Sequence, residues 1–232
     1  MPFDKIIREL YRDEIRRMDP DGRYVAIDLE NERVEYCPAI EVGRRLSFGD
    51  EELCRAFLVA WLCTECGYLP EHICLEKGYT IGRPGGTSAW GDILVRTVEE
   101  GYRPYMLIEV KTPSEYDEND DETIKGQLFD VALHEPGVSV LANSTVVQVD
   151  GELKPRSLVI DYARYPEFEE WKEKGRPKTA DIPKHFGRPV PEPLTKGGKR
   201  DLRRDVSFDE YKRVWKRIHN LLWGGHREAN VK

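Results

Sequence analysis

The order of apolar runs and turn residues along the chain predicts helices that alternate with groups of strands. Residues 2–18 carry apolar side chains at helical spacing and end at a turn, 19–22. Two apolar runs, 23–29 and 33–37, are separated by a short polar stretch, which is typical of a β-hairpin. We interpret residues 1–46, this helix and hairpin, as a structural lid on the domain.

A second helix is predicted over 50–62, where Ser47 and Asp50 form a capping box. The helix is apolar nearly all round after its first turn, so we expect it to be buried. Glu51, Glu52 and Arg55 lie at its open end. They are therefore the polar groups that can reach a cleft.

Further apolar runs predict strands on either side of a third helix. The segment 82–88 between the first two strands is rich in glycine but lacks the spacing of a phosphate-binding loop. The order helix, three strands, helix and strand predicts an α/β fold with a mixed β-sheet flanked by helices. The predicted strands are 73–81, 91–95, 105–111, 138–143, 146–149 and 157–161, and the helix, capped at Thr123 or just before it, is 123–133.

The composition changes at residue 163, where the predicted core, 47–163, ends. Over 164–206 proline, glycine and lysine recur without a period, which predicts a linker with a short helix at 167–174. Residues 207–232 hold an amphipathic helix, compatible with the start of a following domain. Its apolar stripe needs a partner surface and consists of Phe208, Tyr211, Trp215, Ile218 and Leu222.

Three charged residues interrupt otherwise apolar strands. Buried charges are costly unless they are paired or hold a metal, so Asp92, Glu109 and Lys111 need an explanation. Because side chains alternate along a strand, Glu109 and Lys111 share one face. If the Asp92 strand is the hairpin partner, two carboxylates and an ammonium converge, a combination that suits Mg²⁺ or Mn²⁺.

This arrangement resembles the PD-(D/E)xK nuclease superfamily. It is most similar to the N-terminal nuclease domain of type I restriction R subunits (HsdR) and of single-chain restriction-modification enzymes. The resemblance spans about 47–143, and one departure is Gly91, where some relatives carry a proline. The residues that carry it, in order, are Glu52-x-x-Arg55, Gly67-Tyr68, Gly91-Asp92, Glu109-Val110-Lys111 and Gln127.

The resemblance implies a restriction-endonuclease-like core and a metal-dependent endonuclease that hydrolyses DNA phosphodiester bonds. It implies that Asp92, Glu109 and the carbonyl of Val110 bind the catalytic Mg²⁺ or Mn²⁺. Lys111 would position the attacking water or help to deprotonate it. The segment 207–232 is similar to the part that joins the nuclease region to a helicase or DNA methyltransferase region, so either is an expected partner.

Two more catalytic residues follow from the resemblance alone. It favours Glu52 over Glu51 as the helical carboxylate, which would support a second ion or the water network. It places Gln127 where a glutamine orients the lysine or the phosphate. The alternatives are that Glu51 and Glu52 only complement the dipole of their helix, and that Gln127 is a surface residue.

For two other groups of residues we expect a structural role and no functional site. Cys63 and Cys66 have the spacing of metal ligands, but no second pair follows at the usual distance, so we expect buried thiols. The acidic block 115–122 is interpreted as a solvated loop.

Charge and composition limit how this chain meets its partners. The formal net charge is −7, the wrong sign for a domain that grips DNA by itself, so we expect another domain to deliver the DNA. No long apolar run predicts a membrane span, and the chain holds five cysteines without a secretory leader, so we expect a cytoplasmic protein.

Three rival functions stay open at this stage. One is a catalytically silent DNA-binding or scaffolding domain of the same fold. Another makes the last helix the main functional part, as a docking element for a methyltransferase or partner subunit. A nuclease acting on RNA or on junctions would use the same site residues.

Overall fold

The fold is a six-stranded mixed β-sheet with helices on both faces. A computed structural model describes residues 2–80, 88–97, 101–179 and 181–188, together with 208, 211, 212, 215 and 216. The chain divides into two units, Met1–Arg188 and Pro189–Lys232, and the sheet belongs to the first. No helix in the described part is both long and apolar enough to cross a membrane.

The predicted N-terminal helix and hairpin are confirmed as α1 (Lys5–Met18), β1 (Val25–Asp28) and β2 (Arg33–Tyr36). Their junction depends on Asp19, the C-cap of α1. Its carboxylate accepts hydrogen bonds from the backbone N–H groups of Arg23, Tyr24 and Val25. A carboxylate that binds three amides fixes the angle at which the hairpin leaves the helix.

The main sheet contains six strands in sequence order. β3 pairs in parallel with β4, and β6 with β7, whereas the other neighbours are antiparallel. The predicted α/β class with a mixed sheet is therefore confirmed. The strands are β3 (Glu41–Val42), β4 (Ile73–Thr80), β5 (Ser88–Arg96), β6 (Pro104–Val110), β7 (Val140–Val149) and β8 (Glu152–Asp161).

Each face of the sheet is covered by a different set of helices. The buried helix α2 (Asp50–Thr64) packs with α1 and the hairpin on one face. The other face is covered by a continuous helical segment and by α5 (Phe168–Glu173). That segment consists of α3 (Asp121–Thr123), a π-helix (Ile124–Phe129) and α4 (Asp130–Ala132).

Two local predictions were wrong. The N-cap of α2 is Gly49, which makes no side-chain capping bond, so Ser47 does not form the predicted box. The strands predicted at 138–143 and 146–149 form one strand, β7, that continues through polar residues. In its centre Ser144 meets Ser157 of β8 at 2.8 Å between hydroxyl oxygens, which compensates its burial.

The segment after β8 differs in part from the predicted linker. The short helix expected at 167–174 is present as α5, but its Trp171 is fully buried and its indole donates to the Pro177 carbonyl. Thr179 forms a bridge to Val159 of β8, and Ile182 is buried as well. Trp171, Thr179 and Ile182 thus pack into the first unit.

Several predictions fall on residues that the structure does not describe. Residues 82–87 of the glycine-rich segment lie outside the described residues, as do Ser207 and Glu210, which the sequence predicts to cap the helix of 207–232. In the second unit, Phe208, Tyr211 and Trp215 are helical and exposed.

Candidate functional site

The site lies where β5 and β6 part. The two strands pair from Ile93 and Ile108 towards Arg96 and Pro104. Beyond Ile93, the carboxylate of Asp92 accepts a hydrogen bond from the Val110 N–H at 2.7 Å. Since the N–H and C=O of one strand residue point to the same side, the Val110 carbonyl faces the Asp92 side of β6.

Glu109 and Lys111 form a buried ion pair at the end of β6. The Lys111 ammonium donates to Glu109 Oε1 at 2.6 Å. The strand continues to be anchored there, because the Lys111 N–H donates to the Ser144 carbonyl of β7 at 2.9 Å. The structure therefore brings Asp92, Glu109 and Lys111 together, as the sequence predicts.

A third carboxylate enters from β4 through an irregular backbone. Glu76 has φ of +50°, in the left-handed region that non-glycine residues rarely adopt. Cys74 and Tyr79, five residues apart, both belong to the same buried cluster, so the alternation of faces shifts between them. The positive φ of Glu76 lies at this shift and lets its buried carboxylate reach Arg55 of α2.

Arg55 forms ion pairs with four carboxylates of the site. Its Nη2 lies 2.9 Å from Glu51 Oε1, 2.9 Å from Asp92 Oδ1 and 2.8 Å from Glu76 Oε1. Its Nη1 donates to Glu52. The side chain is buried, and within the described part of the chain its Nε has no hydrogen-bond partner. One guanidinium thus neutralises carboxylates from α2, β4 and β5.

Glu51 and Glu52 play different parts. Glu52 is buried and accepts a hydrogen bond from the Tyr36 hydroxyl of β2 at 2.6 Å, in addition to its bond from Arg55. Glu51 is half-exposed, and one of its oxygens lies within 4.8 Å of oxygens of Glu76 and Asp92. The catalytic role given to Glu52 stays a prediction, but the structure places Glu51 nearer to Asp92.

Oxygen atoms of three carboxylates are spaced closely enough to share one metal ion: those of Glu51, Glu76 and Asp92. Carboxylate oxygens are the ligands that Mg²⁺ and Mn²⁺ prefer. Among the residues that the structure describes, the wider site holds five carboxylates, with Glu52 and Glu109 added, against three cations. If all are ionised, the excess is two negative charges, and the donor set fits one divalent cation. The cations are Arg44, Arg55 and Lys111.

Burial and neighbouring charges together raise the pKa values of the carboxylates Glu109 and Glu51, but they oppose each other at Lys111. Burial, followed by the charge of Asp92, raises the pKa of Glu109 well above its ordinary value and also raises the pKa of Glu51. Burial by itself lowers the pKa of Lys111, but Glu109 and Asp92 outweigh it, and the net pKa is raised. Lys111 is therefore a charged ammonium in this state.

The mouth of the site is lined by arginine. Arg44 lies 2.6 Å from Glu76 Oε2, and its guanidinium stacks 4.5 Å from the centroid of the Trp90 ring. It borders a groove of about 1130 Å³ that also touches Arg45, Tyr36 and Glu52. Of the buried carboxylates of the site, Glu52 lines the groove.

Gln127, predicted to face the site, lies in the π-helix and is exposed. Within the part of the chain that the structure describes, its amide makes no hydrogen bond to the site residues. Ile124 and Leu128 of the same π-helix are the residues buried against the sheet. The role of Gln127 stays a prediction.

The cysteines near the end of α2 are buried thiols. Burial raises the pKa of both Cys63 and Cys66 to about 12, which disfavours the thiolate form that a metal requires. Gly67, which follows them in the predicted motif, has φ of +75°, and a Cβ there would collide with the His185 ring. This part of the motif shapes the packing of the domain.

Sequence reasoning gave Arg55 no catalytic or binding role, noted Glu76 only as similar to a glutamate of the resembled superfamily without a defined role, and missed Tyr36 as a member of the site. An arginine inside an apolar helix was a signal, because such a residue is buried only when carboxylates surround it. Nothing local in the sequence distinguishes Glu76 from a surface residue of a strand.

Comparisons with known proteins give no family for this chain. No protein-family model matches it, and no curated protein gives a significant match. The functional argument therefore rests on the geometry of the site.

Proposed function

We propose that this chain is a metal-dependent endonuclease with a restriction-endonuclease-like core, similar to the PD-(D/E)xK superfamily. The observation that carries the proposal is the convergence of Asp92, Glu109 and Lys111 where β5 and β6 part. A metal-dependent nuclease needs oxygen ligands for its ion, and a nearby cation can stabilise the charge on the phosphate. We further propose that it is the cleavage domain of a restriction-modification enzyme.

The residues that would hold Mg²⁺ or Mn²⁺ are Asp92 and Glu109, with the Val110 carbonyl and with Glu51 or Glu76 as further ligands. When bound, such an ion stabilises negative charge on the phosphate and lowers the pKa of water. Asp92 is already held in place by the Val110 N–H at 2.7 Å. This preorganisation reduces the cost of arranging the ligands.

Lys111 supplies the positive charge on the substrate side. Because its pKa is raised in the metal-free state, the ammonium is suited to bind a phosphate oxygen or to orient water rather than to accept a proton. Glu109 holds this ammonium at 2.6 Å. Any binding partner that draws Glu109 away frees Lys111 to turn to the substrate.

The groove beside the hairpin is a route for DNA to the site. Arg44 and Arg45 line it and Glu52 lies at its floor. The net charge of the chain is −7, so two arginines do not give strong binding to a polyanion. We therefore propose that a helicase or methyltransferase region, in cis or in a partner subunit, delivers the DNA.

A second candidate function is a catalytically silent scaffold of the same fold. Arg55 favours it, because a buried arginine that already pairs with four carboxylates is what a purely structural ion-pair network looks like. Such a protein would bind no divalent cation at Asp92.

Plasmid nicking with Mg²⁺ or Mn²⁺ tests the proposal. We expect the natural chain to nick, and Asp92→Asn and Lys111→Ala each to lower the rate by at least about 100-fold. Asp13→Asn and Lys125→Ala, two exposed positions paired with Arg12 and Glu169, are matched controls that should retain the full rate. Nicking that survives in Asp92→Asn would contradict the proposal.

A further inference from the structure

We infer that Arg55 is the resident counter-cation of the site, and that its guanidinium and a divalent ion compete for the same three carboxylates. The inference rests on the proposed metal-dependent function and adds a residue to it. It predicts that metal binding is coupled to a displacement of Arg55, which lowers the affinity of the natural chain for divalent ions.

The geometry places one nitrogen between three of the candidate metal ligands. Arg55 Nη2 lies 2.8 to 2.9 Å from one oxygen of each of three carboxylates. Those three residues are also the ones whose oxygens come within 4.8 Å of one another. They are Glu51, Glu76 and Asp92.

A cation bound by these oxygens and the present position of Nη2 exclude each other. Oxygen ligands lie at about 2.0–2.1 Å from Mg²⁺, so an ion shared by the three would sit close to where Nη2 now lies. Two cations at that separation repel strongly in a buried site. One of the two must leave.

The other two nitrogens of the Arg55 guanidinium show how the side chain can rotate and still stay in the site. Its Nη1 donates to Glu52, which is buried and held by the Tyr36 hydroxyl. Its Nε is buried and has no hydrogen-bond partner among the described residues, so a rotation of the guanidinium costs no bond to them at that atom. Glu52 would keep the charge of Arg55 paired while Nη2 withdraws. Glu52 is then a positioning residue that acts through Arg55.

Calorimetric titration of the full chain with Mn²⁺ tests the inference without using activity. We expect Arg55→Gln to bind Mn²⁺ at least about tenfold more tightly than the natural chain, because the competing charge is gone. Arg8→Gln is the matched control. Arg8 also pairs with a carboxylate of α2, Asp50, and also has a buried Nε without a partner, so it should leave the Mn²⁺ affinity unchanged.

Each result has one meaning. Weaker or equal Mn²⁺ binding by Arg55→Gln would overturn the competition, and the proposed nuclease would stand if the natural chain still nicks DNA in an Asp92-dependent way. If neither chain binds Mn²⁺, the metal-dependent function fails, and the inference fails with it.

A measurement on the natural chain covers the case in which Arg55→Gln does not fold. In a sample labelled with ¹⁵N-arginine, the Nε–H signal of Arg55, assigned by its loss in Arg55→Lys, should shift on titration with Mg²⁺. The signal of Arg12, which pairs with Asp13 at the surface, should not move. Saturation with Mg²⁺ while the Arg55 signal stays fixed would overturn the inference.

Discussion

The two halves of the sheet differ in regularity and in charge. β7 and β8 pair without interruption over ten residue pairs, from Val140 and Asp161 to Val149 and Glu152. β4, β5 and β6 contain a left-handed residue at Glu76, a register shift after Val95 and an early end to pairing at Ile93. The buried charges of the described sheet strands gather in this irregular half.

We infer that the regular half stabilises the fold, whereas the half that holds the candidate site gathers buried charges at a cost in stability. Regular pairing leaves no room for a cluster of side chains between strands. A positive φ or a parting of strands opens that room, and such irregularities commonly occur at functional sites. We expect mutations in the two halves to separate stability from function.

The largest effect on stability is expected in α5, which packs against the regular half of the sheet. Trp171→Ala removes a fully buried side chain that packs beside Phe129 and Phe168. It should lower the free energy of unfolding by about 3–5 kcal/mol, measured by urea denaturation. Metal binding by the folded fraction should be unchanged. A near-neutral Trp171→Ala would show instead that residues 164–188 are the loose linker expected from the sequence.

A smaller effect on stability is expected at Gly43, which follows β3 and lies against the backbone of Glu76. A Cβ on Gly43 would lie 2.2 Å from the Glu76 carbonyl oxygen, and backbone cannot move aside easily. Gly43→Ala should therefore destabilise the protein by about 1–3 kcal/mol and weaken Mn²⁺ binding through Glu76.

Gly126→Ala is the matched control for this comparison, since a Cβ there meets nothing within 4 Å. It should be neutral or stabilising by up to about 1 kcal/mol. Equal losses from the two substitutions would argue against a special role for the Glu76 backbone.

The pH dependence of the free energy of unfolding should reveal how much stability is lost by burying charges on β4, β5 and β6. The pKa of Glu109 is raised in the folded state, chiefly by burial and then by Asp92. The folded state therefore holds this proton more tightly, and the stability it contributes is present below the unfolded pKa and lost as pH rises through the folded value.

Glu109→Gln replaces the titratable carboxyl group by an amide. Without metal, the free energy of unfolding of this variant should therefore fall less steeply with rising pH than that of the natural chain. Denaturation in the presence of a chelator at a series of pH values measures the two slopes. Parallel curves would contradict the raised pKa of Glu109.

The smallest effect is expected at Gln127. Because its side chain is exposed, Gln127→Ala should change the free energy of unfolding by less than about 0.5 kcal/mol. Nicking assays on the same variant decide its role. A lower rate at unchanged stability would support the prediction that Gln127 acts at the site, whereas an unchanged rate would remove it.

The sequence predicted those parts of the fold that follow from local patterns. The helices, the hairpins and the mixed sheet follow from apolar periodicity and turn residues, which act over a few neighbours. Local patterns did not predict the continuity of β7. Asn143, Ser144 and Thr145 are polar, and only their neighbours on the adjacent strands make them fit a buried strand.

The candidate site could be predicted only where charge interrupts an apolar strand. Asp92, Glu109 and Lys111 stood out for that reason, and the structure brings them together. Glu76 reaches Arg55 through a backbone conformation that no sequence pattern indicates. The preference for Glu52 over Glu51 came from a resemblance, whereas their different neighbours are a property of the three-dimensional fold.

The most direct test of the metal site is its location. Crystals of the full chain grown with Mn²⁺ would give an anomalous difference map at the manganese absorption edge. We expect a peak within coordination distance of carboxylate oxygens of Asp92, with Glu109 or Glu51 as a second ligand. Saturating Mn²⁺ without a peak at Asp92, or with peaks only at surface carboxylates, would contradict a metal-dependent nuclease centred where β5 and β6 part.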